Sequence, residues 1–220
     1  MNPDLNAIRS HLYAAVVCDA MDQLGLHHQS PRIALPLQTR FSGATGVLAG
    51  RCKTTLWCDM AHRDPEPYAF ELKAVDECRP DDVLIAAAGG SMRSGIWGEL
   101  LTTAAKNQGC VGAIIDGAVR DVDKIAALQF PVFAKGRCVY DSLNRQRVVD
   151  VDVPVEIDGV RFEPGDLVVA DNDGLVVVPH RMEADVLKLA FAKVLGENQV
   201  RDAIRAGMSS REAFNKYGIL

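Results

Sequence analysis

The sequence of 220 residues lacks the features that mark membrane, secreted and nucleic-acid-binding proteins. No apolar run approaches the length of a membrane span. The N-terminal segment carries acids instead of the basic-then-apolar order of a signal peptide. Lys and Arg are scattered and the net charge is −5, so no basic stripe is present for nucleic acid. These absences predict a cytoplasmic protein with no nucleic-acid partner and no membrane partner.

Cysteine and histidine are present without the spacing of a metal site. The six cysteines include no C-x-x-C pair, and the five histidines follow no metal-ligand pattern. Most of the cysteines lie in apolar stretches, where a free thiol packs as a small hydrophobic group. We therefore expect reduced, structural thiols.

The remaining composition is that of one soluble globular domain, residues 1–220, with 48% hydrophobic and 24% charged residues. Hydrophobic periodicity predicts helices over residues 4–24, 68–78, 95–107, 121–128 and 181–206. It predicts strands over residues 43–55, 83–88, 111–115, 130–134, 148–155, 167–170 and 175–178. Turn residues separate several of these elements: Gly89-Gly90, Asp116-Gly117, Asp158-Gly159 and 171–174. The pattern predicts an α/β domain with parallel central strands, stacked β hairpins and a C-terminal helical arm.

Two loops resemble ligand-binding motifs that they do not complete. Residues 90–95 (GSMRSG) have P-loop glycine spacing, but Ile96 and Trp97 follow where Lys and Ser or Thr are required. No G-x-G-x-x-G run opens a helix, which argues against a dinucleotide site. Residues 171–174 (DNDG) begin like an EF-hand loop, but the closing Glu is missing. We interpret that segment as a hairpin turn.

Two polar clusters follow neighbouring strand-like runs, at residues 97–99 (WGE) and 120–123 (RDVD). Each cluster stands where a helix is predicted to begin, so both are expected at the edge of the sheet where α/β proteins bind ligands. The backbone N–H groups of Gly98, Glu99, Leu100 and Leu101 would favour an anion there. A simpler interpretation remains open, in which the glycines only permit a turn and Asp121 only complements a helix dipole.

The same residues carry a resemblance to a known family. Residues 97–101 (WGELL), 109–112 (GCVG), 116–121 (DGAVRD), 130–133 (FPVF), 149–155 (VDVDVPV) and 216–220 (KYGIL) resemble the signature of the RraA-like family. That family contains class II 4-hydroxy-4-methyl-2-oxoglutarate and 4-carboxy-4-hydroxy-2-oxoadipate aldolases, and also the regulator of ribonuclease E activity A. The resemblance extends over essentially the whole chain.

The resemblance implies a three-layer β/β/α swivelling-domain fold that assembles into homotrimers or homohexamers, with the site between subunits. It implies that Asp121 binds a divalent metal directly, usually Mg²⁺ or Mn²⁺, and that Glu99 acts through the metal's water shell. Many members have Asp at the position of Glu99. Arg120 matches the arginine that contacts the keto acid, and residues 98–101 match the site of the pyruvate carboxylate. Glu197 is our match for an acidic metal-site residue supplied by a neighbouring subunit.

The function implied is that of a metal-dependent lyase. It would cleave a 4-hydroxy-2-oxo diacid and release pyruvate through a metal-stabilised enolate, with oxaloacetate decarboxylation as a side activity. The alternative is a protein-binding regulator of the ribonuclease E type without catalysis. A third label given to such chains, menaquinone methyltransferase, is rejected because no glycine-rich cofactor loop of that type is present. Four basic residues are candidates by charge alone for the distal end of the substrate: Arg51, Lys53, Arg63 and Arg93.

Overall fold

A computed structural model describes residues 4–33 and 46–219, and its centre is a seven-stranded sheet. The strands of the protein are β1 (Leu48–Asp59), β2 (Asp82–Trp97), β3 (Gly112–Val119), β4 (Val132–Arg137), β5 (Gln146–Val151), β6 (Val155–Ile157), β7 (Val160–Phe162), β8 (Leu167–Ala170) and β9 (Leu175–Val178). The order in the sheet is β4-β3-β2-β1-β8-β9, with β5 also paired to β1. Strands β1 to β4 are parallel, and the other pairings are antiparallel.

Helices cover the sheet and extend the C-terminus. They are α1 (Leu5–His11), α2 (Ala14–Gln23), α3 (Ala69–Asp76), α4 (Glu99–Asn107), α5 (Val122–Ala127), α6 (Glu183–Arg205) and α7 (Ser210–Tyr217). A short 3-10 turn, His180–Met182, precedes α6. Across residues 4–33 and 46–219, no helix combines the length and the apolar character that a membrane crossing requires.

The layers follow from the alternation of apolar side chains along the buried strands. In β2, Leu84 and Ala86 pack into a core with α3, α4 and α5, whereas Val83 and Ile85 pack into a second core with the β6–β7 hairpin. A third core joins α1, α2 and α6 to β8 and β9. The hairpin, the sheet and the helices therefore form the predicted β/β/α arrangement, and the predicted fold class is confirmed.

The predicted boundary between the second strand and its helix is wrong. Residues 95–97, predicted as the start of a helix, belong to the end of β2, because Gly95 and Trp97 pair with Ala118 and Val119 of β3. The predicted turn at Gly89-Gly90 lies inside the same strand, although both glycines have positive φ and the register shifts there. Strand β2 continues beyond these glycines because it goes on pairing with β3, which a single sequence does not reveal. Asp116-Gly117 likewise lies within β3 and does not form the predicted turn.

The predicted N-terminal helix is two helices. Leu12 and Tyr13 are extended, which ends α1 and starts α2. The predicted strand over residues 43–55 begins at Leu48 and continues to Asp59, and residues 43–45 of that prediction lie outside the described residues. The predicted tight turns are correct at Asp158-Gly159, between β6 and β7, and at residues 171–174, between β8 and β9.

A bidentate ion pair fastens α6 to the central strand. The two guanidinium nitrogens Nη1 and Nη2 of Arg51 lie 2.6 and 2.9 Å from the carboxylate oxygens of Glu183. The Glu183 side chain is only 6% exposed. Removing one charge of a buried pair leaves the other uncompensated, so Glu183→Gln should lower the free energy of unfolding by about 3 kcal/mol. Urea denaturation measures this loss.

The matched control for that substitution is Asp202→Asn on the same helix. Asp202 pairs with Arg205 at 3.7 Å, and both side chains are more than two-thirds exposed, at 77% and 73%. Surface ion pairs contribute little, so the control should stay within about 0.5 kcal/mol of the parent. Equal losses in the two variants would contradict a structural role for the Arg51–Glu183 pair.

Candidate active site

The two polar clusters meet at the carboxyl ends of β2 and β3. Trp97 and Val119 are register partners at the ends of these parallel strands. Arg120 directly follows β3, and its backbone N–H donates to the Trp97 carbonyl at 2.9 Å. Gly98 is the N-cap residue of α4, and Asp121 is the N-cap residue of α5. The carboxyl edge of a parallel sheet is where α/β proteins hold ligands.

Asp121 directs its carboxylate at the beginning of α4. Its backbone is left-handed, with φ of 55°, a conformation that Asp tolerates better than most residues. Its Oδ2 atom accepts a 3.3 Å hydrogen bond from the backbone N–H of Glu99. Asp121 is exposed and forms no ion pair with any cation of the described residues. The carboxylate is thus accessible as an oxygen ligand.

Gly98 allows this close approach because it has no side chain. A Cβ atom at Gly98 would lie 2.8 Å from Oδ2 of Asp121 and 3.3 Å from Cγ of Arg120. Gly95, near the end of β2, also permits a close approach, since a Cβ atom there would lie 2.5 Å from the Cys138 carbonyl oxygen. Available space, not backbone conformation, explains Gly98, because its φ of −152° is accessible to any residue. The backbone at the end of β2 can therefore pack closely against the side chains of Arg120 and Asp121.

Arg120 is oriented by an acid and a tyrosine that the sequence did not indicate. Its Nη2 atom lies 2.5 Å from Oδ2 of Asp141, and the Tyr68 hydroxyl donates to Oδ1 of Asp141 at 2.7 Å. Burial opposes the charge of Asp141. Hydrogen bonds from the Leu143 N–H and from Tyr68, together with the Arg120 cation, outweigh burial and lower its pKa. Burial and the bond to Asp141 raise the pKa of Tyr68 to about 12, so the hydroxyl remains a donor.

A buried carboxyl group lies beside this network. Glu71, in the first turn of α3, is 8% exposed and accepts a 3.3 Å hydrogen bond from the Ser142 hydroxyl. Burial raises the pKa of Glu71 to about 7, and the charge of Asp141 adds to the increase. Ser142 and Arg120 act in the opposite direction. No sequence motif marks Glu71, because its burial depends on a loop 71 residues away.

These groups line one cavity of about 270 Å³ between α3, α4 and the loop that follows β4. Its polar wall contains Tyr68, Glu71, Arg120, Asp121 and Asp141. Its apolar wall is formed by Leu72, Ile96, Leu100 and Leu101. The volume suits a small organic acid, since ligand pockets start at about 300 Å³.

Glu99 meets Asp121 through its backbone and not through its carboxylate. The Glu99 Oε1 atom accepts a 3.1 Å hydrogen bond from the Thr103 hydroxyl, one turn along α4. The first three N–H groups of α4, from Glu99 to Leu101, have no intrahelical acceptor, since Thr102 is the first residue that bonds back to Gly98. The N-terminus of α4 therefore presents N–H donors next to Asp121.

Glu197 lies on α6, and within its own chain it does not line this cavity. Its carboxylate accepts a hydrogen bond from the Tyr13 hydroxyl and lies 3.8 Å from Nη2 of Arg201. Burial and the bond to Glu197 raise the pKa of Tyr13 to about 12. The side chain is 19% exposed, and its assignment to a neighbouring subunit's site stays a prediction.

The basic candidates for the distal end of a substrate lie away from the cavity. Arg51 is the register partner of Asp82, the first residue of β2, and so stands at the opposite edge of the sheet. Lys53 on the same strand pairs with Asp152 at 2.7 Å, and a separate cleft of about 810 Å³ contains both cations. Arg63 and Arg93 are exposed, and the cavity lining includes neither of them.

The oxygen donors at the site fit a magnesium ion. Mg²⁺ keeps several waters and binds through one or two carboxylates, and Asp121 offers one without a competing cation. In the described part of the chain, no group of three His, Cys, Asp or Glu side chains could hold a metal. A cation here would therefore rely on Asp121, with Glu99 nearby, and on oxygens from outside these residues.

The structure is that of an α/β protein with a small cavity at the carboxyl edge of its parallel strands. The model of the RraA-like family, described as Aldolase/RraA, matches residues 14–177. The chain therefore belongs to the RraA-like family. This finding confirms the resemblance inferred from residues 97–121.

Curated relatives differ in length. A protein of Pseudomonas paraeruginosa, provisionally named 4-hydroxy-4-methyl-2-oxoglutarate aldolase, is 34% identical over 172 residues, covering 78% of this chain and 97% of that protein. Protein DlpA of Legionella pneumophila is 31% identical over 70% of this chain, but the alignment spans only 26% of DlpA. Similarity to the longer protein thus concerns one part of it.

Solved structures match over nearly the whole chain. An uncharacterized protein from Pseudomonas syringae has a TM-score of 0.83 at 29% identity, covering 98% of this chain and 96% of its own. RraAS2 of Streptomyces coelicolor, described as an unusual member of the RNase ES inhibitor RraA family, has a TM-score of 0.78 at 28% identity, covering 91% and 98%. Both named aldolases and named inhibitors are therefore similar to this chain.

Proposed function

We propose that this protein is a divalent-metal-dependent lyase that cleaves a 4-hydroxy-2-oxo diacid and releases pyruvate, with oxaloacetate decarboxylation as a side activity. One observation carries the proposal. Arg120 and Asp121 flank the N-terminus of α4 at one small cavity, and within residues 4–33 and 46–219 the carboxylate of Asp121 forms no ion pair. The similarity to a protein provisionally named as an aldolase supports the same chemistry.

The substrate's keto-acid end would bind at the start of α4. Its carboxylate would accept hydrogen bonds from the N–H groups of Leu100 and Leu101, where the helix dipole favours negative charge. Arg120 would hold the keto acid through the planar cation of its guanidinium group. Asp121 would hold a magnesium or manganese ion, with Glu99 contributing through the water shell. When bound, the cation supplies Lewis-acid stabilisation of negative charge on the substrate's oxygens.

The bond changes follow from the substrate's own connectivity. The C4 hydroxyl loses its proton, the C3–C4 bond breaks, and the departing fragment gains a carbonyl group. The electron pair stays on the pyruvate unit as an enolate, and protonation at C3 then gives pyruvate. Arg120 stabilises the negative charge that develops in this step. Oxaloacetate yields the same enolate when it loses CO₂, which explains why one site would serve both reactions.

Metal removal tests this proposal directly. Pyruvate release from 4-hydroxy-4-methyl-2-oxoglutarate and from oxaloacetate, followed with lactate dehydrogenase and NADH, should require added magnesium and stop with EDTA. Activity should return when excess magnesium is restored, since the described fold contains no structural metal cluster that chelation could remove. Equal rates with EDTA and with magnesium would overturn the metal-dependent mechanism.

We further propose that the active assembly is a homotrimer or homohexamer, in which Glu197 of a neighbouring subunit approaches the Asp121 cavity. The exposed apolar side chain of Leu100, at 76%, stands at the mouth of that cavity and supports a covered surface there. Mixing inactive Asp121→Ala subunits with inactive Glu197→Ala subunits would restore partial activity if the two residues complete one site across an interface.

A second candidate function is binding to ribonuclease E without catalysis. The overlap with RraAS2 over 91% of this chain favours it. Purified ribonuclease E retained by the immobilised protein, with inhibition of RNA cleavage, would support this function. Absence of binding would remove it.

A further inference from the structure

Among the described residues that line the proposed substrate cavity, Glu71 is the buried acid to which the proposed reaction assigns no task. It stands on the first turn of α3, with Tyr68 one helical turn before it, and both side chains point to the loop that follows β4. Tyr68 donates a hydrogen bond to Asp141, and Ser142 donates one to Glu71. Both side chains are therefore bonded to adjacent residues of this loop. Arg120, which pairs with Asp141, lies in the same cavity wall.

The charges around Glu71 come from three directions. The loop presents Asp141, and the connection after β3 presents Arg120; these are the charges that act on Glu71. On its other side, Glu71 borders a narrow space next to β5, where Arg147 is neutralised by Asp64 at 3.1 Å.

Among the described residues, the other neighbours of Glu71 are apolar, exposed or bonded to other groups. Across the cavity α4 contributes the apolar side chains of Leu100 and Leu101. Glu66, at the start of the same segment, also borders the narrow space but is exposed. Arg145 donates to the backbone carbonyl of Asp141 at 3.0 Å and stacks on Tyr140.

The net charge near Arg120 therefore depends on Glu71. With Glu71 protonated, Arg120 and Asp141 neutralise one another, and in the magnesium-loaded protein the cation would offset the charge of Asp121 in the same cavity. With Glu71 ionised, Glu71, Arg120 and Asp141 together carry one negative charge in a partly desolvated cavity, where Coulomb repulsion is stronger than in water. An anionic ligand that pairs with Arg120 would then bind poorly.

We propose that Glu71 is a positioning residue that couples substrate binding to a proton: its neutral carboxyl group lets Arg120 hold an anionic 2-oxo acid, and its ionisation repels that acid. The inference rests on the proposed function for the class of ligand, but it concerns binding and not bond cleavage. A pKa of about 7 for Glu71 puts the transition near neutral pH. Anion binding stabilises the protonated form, so ligand affinity should fall as pH rises above this value.

Calorimetric titration with pyruvate, on magnesium-loaded protein from pH 6 to pH 9, tests the coupling. Repeating each titration in buffers of different ionisation enthalpy counts the protons exchanged. Near pH 8 the parent should take up close to one proton per pyruvate bound, and its Kd should rise about tenfold for each pH unit above the Glu71 pKa. The isosteric variant Glu71→Gln should show no uptake and a flat Kd across this range.

Two further variants separate this effect from general disturbance of the cavity. Glu66→Gln removes the same charge from an exposed position on the same segment and should keep the parent's proton uptake. Ser142→Ala removes a hydrogen bond that lowers the pKa of Glu71, so the loss of affinity should move to higher pH. A purely structural role of Glu71 would not move the pH profile in this direction.

The outcomes are distinct. Equal proton uptake in the parent and in Glu71→Gln, or no uptake in the parent, would overturn the role of Glu71. So would a parent that binds no pyruvate at any pH. Proton-coupled pyruvate binding that is lost in Glu71→Gln would establish the role. If that binding is present but neither 4-hydroxy-2-oxo diacid nor oxaloacetate is cleaved, only the proposed lyase function fails.

Discussion

The substitution Asp121→Ala should eliminate metal-dependent pyruvate release, with a loss of at least about 10³-fold in kcat/KM. Lewis-acid stabilisation is worth several kcal/mol, and each ~1.4 kcal/mol corresponds to a factor of ten in rate. The carboxylate of Asp121 has no ion-pair partner among the residues that the structure describes, and it forms no cap hydrogen bond within α5. Its loss should therefore affect cation binding far more than the fold.

Backbone strain is separated from the loss of charge by a second variant. Asp121 has φ of 55°, and alanine tolerates this left-handed conformation less well, at a cost of roughly 1 kcal/mol. Asp121→Asn keeps a residue that accepts the conformation and removes only the charge. Both variants should lose manganese binding, measured by electron paramagnetic resonance, while Asp123→Ala in the exposed first turn of the same helix should retain it. Full activity in Asp121→Asn would contradict a ligand role.

The substitution Arg120→Lys should lower kcat by about 10²-fold to 10³-fold, the usual cost of losing one donor to a developing oxyanion. Lysine keeps the charge but not the planar fork that reaches Asp141 and a substrate together. Because the loss occurs in the transition state, KM should change less than kcat. Steady-state rates with oxaloacetate measure both constants.

The matched control for Arg120 is Arg137→Lys. Arg137 ends β4, pairs in register with Val119, and is exposed, so it tests the same chemical change at the same sheet edge. Its kinetic constants should remain those of the parent. A similar loss in both variants, or an unchanged kcat in Arg120→Lys, would contradict the assigned role of Arg120.

The sequence predicts the sheet and the location of the site because both depend on local patterns. Uninterrupted apolar residues at 83–88 and 111–115 indicate buried strands, and the polar residues behind them must then emerge at one edge. For that reason the proximity of Gly98 to Arg120 could be expected from spacing alone. In the structure a Cβ atom added at Gly98 would lie 3.3 Å from Cγ of Arg120.

The strand ends and the surroundings of Arg120 could not be predicted in the same way. Trp97 stays in β2 because of its pairing with Val119, which is a tertiary effect. Tyr68, Glu71 and Asp141 reach the cavity from segments up to 73 residues apart, and no local motif marks any of them. Their contribution depends on burial and on the course of an irregular loop, and neither is encoded in hydrophobic period.

The position of β1 has a consequence for the order in which the chain can fold. Strands β2, β3 and β4 follow one another in sequence and pair as neighbours, so they can assemble soon after synthesis. One edge of β1 pairs with β5 and β8, which lie later in the chain, and Arg51 meets its ion-pair partner 132 residues further along. Closing so long a loop is entropically costly and slows folding. In a nascent chain the strands beside the cavity would thus pair first. The outer edge of β1 would pair only after the last third of the protein is synthesised.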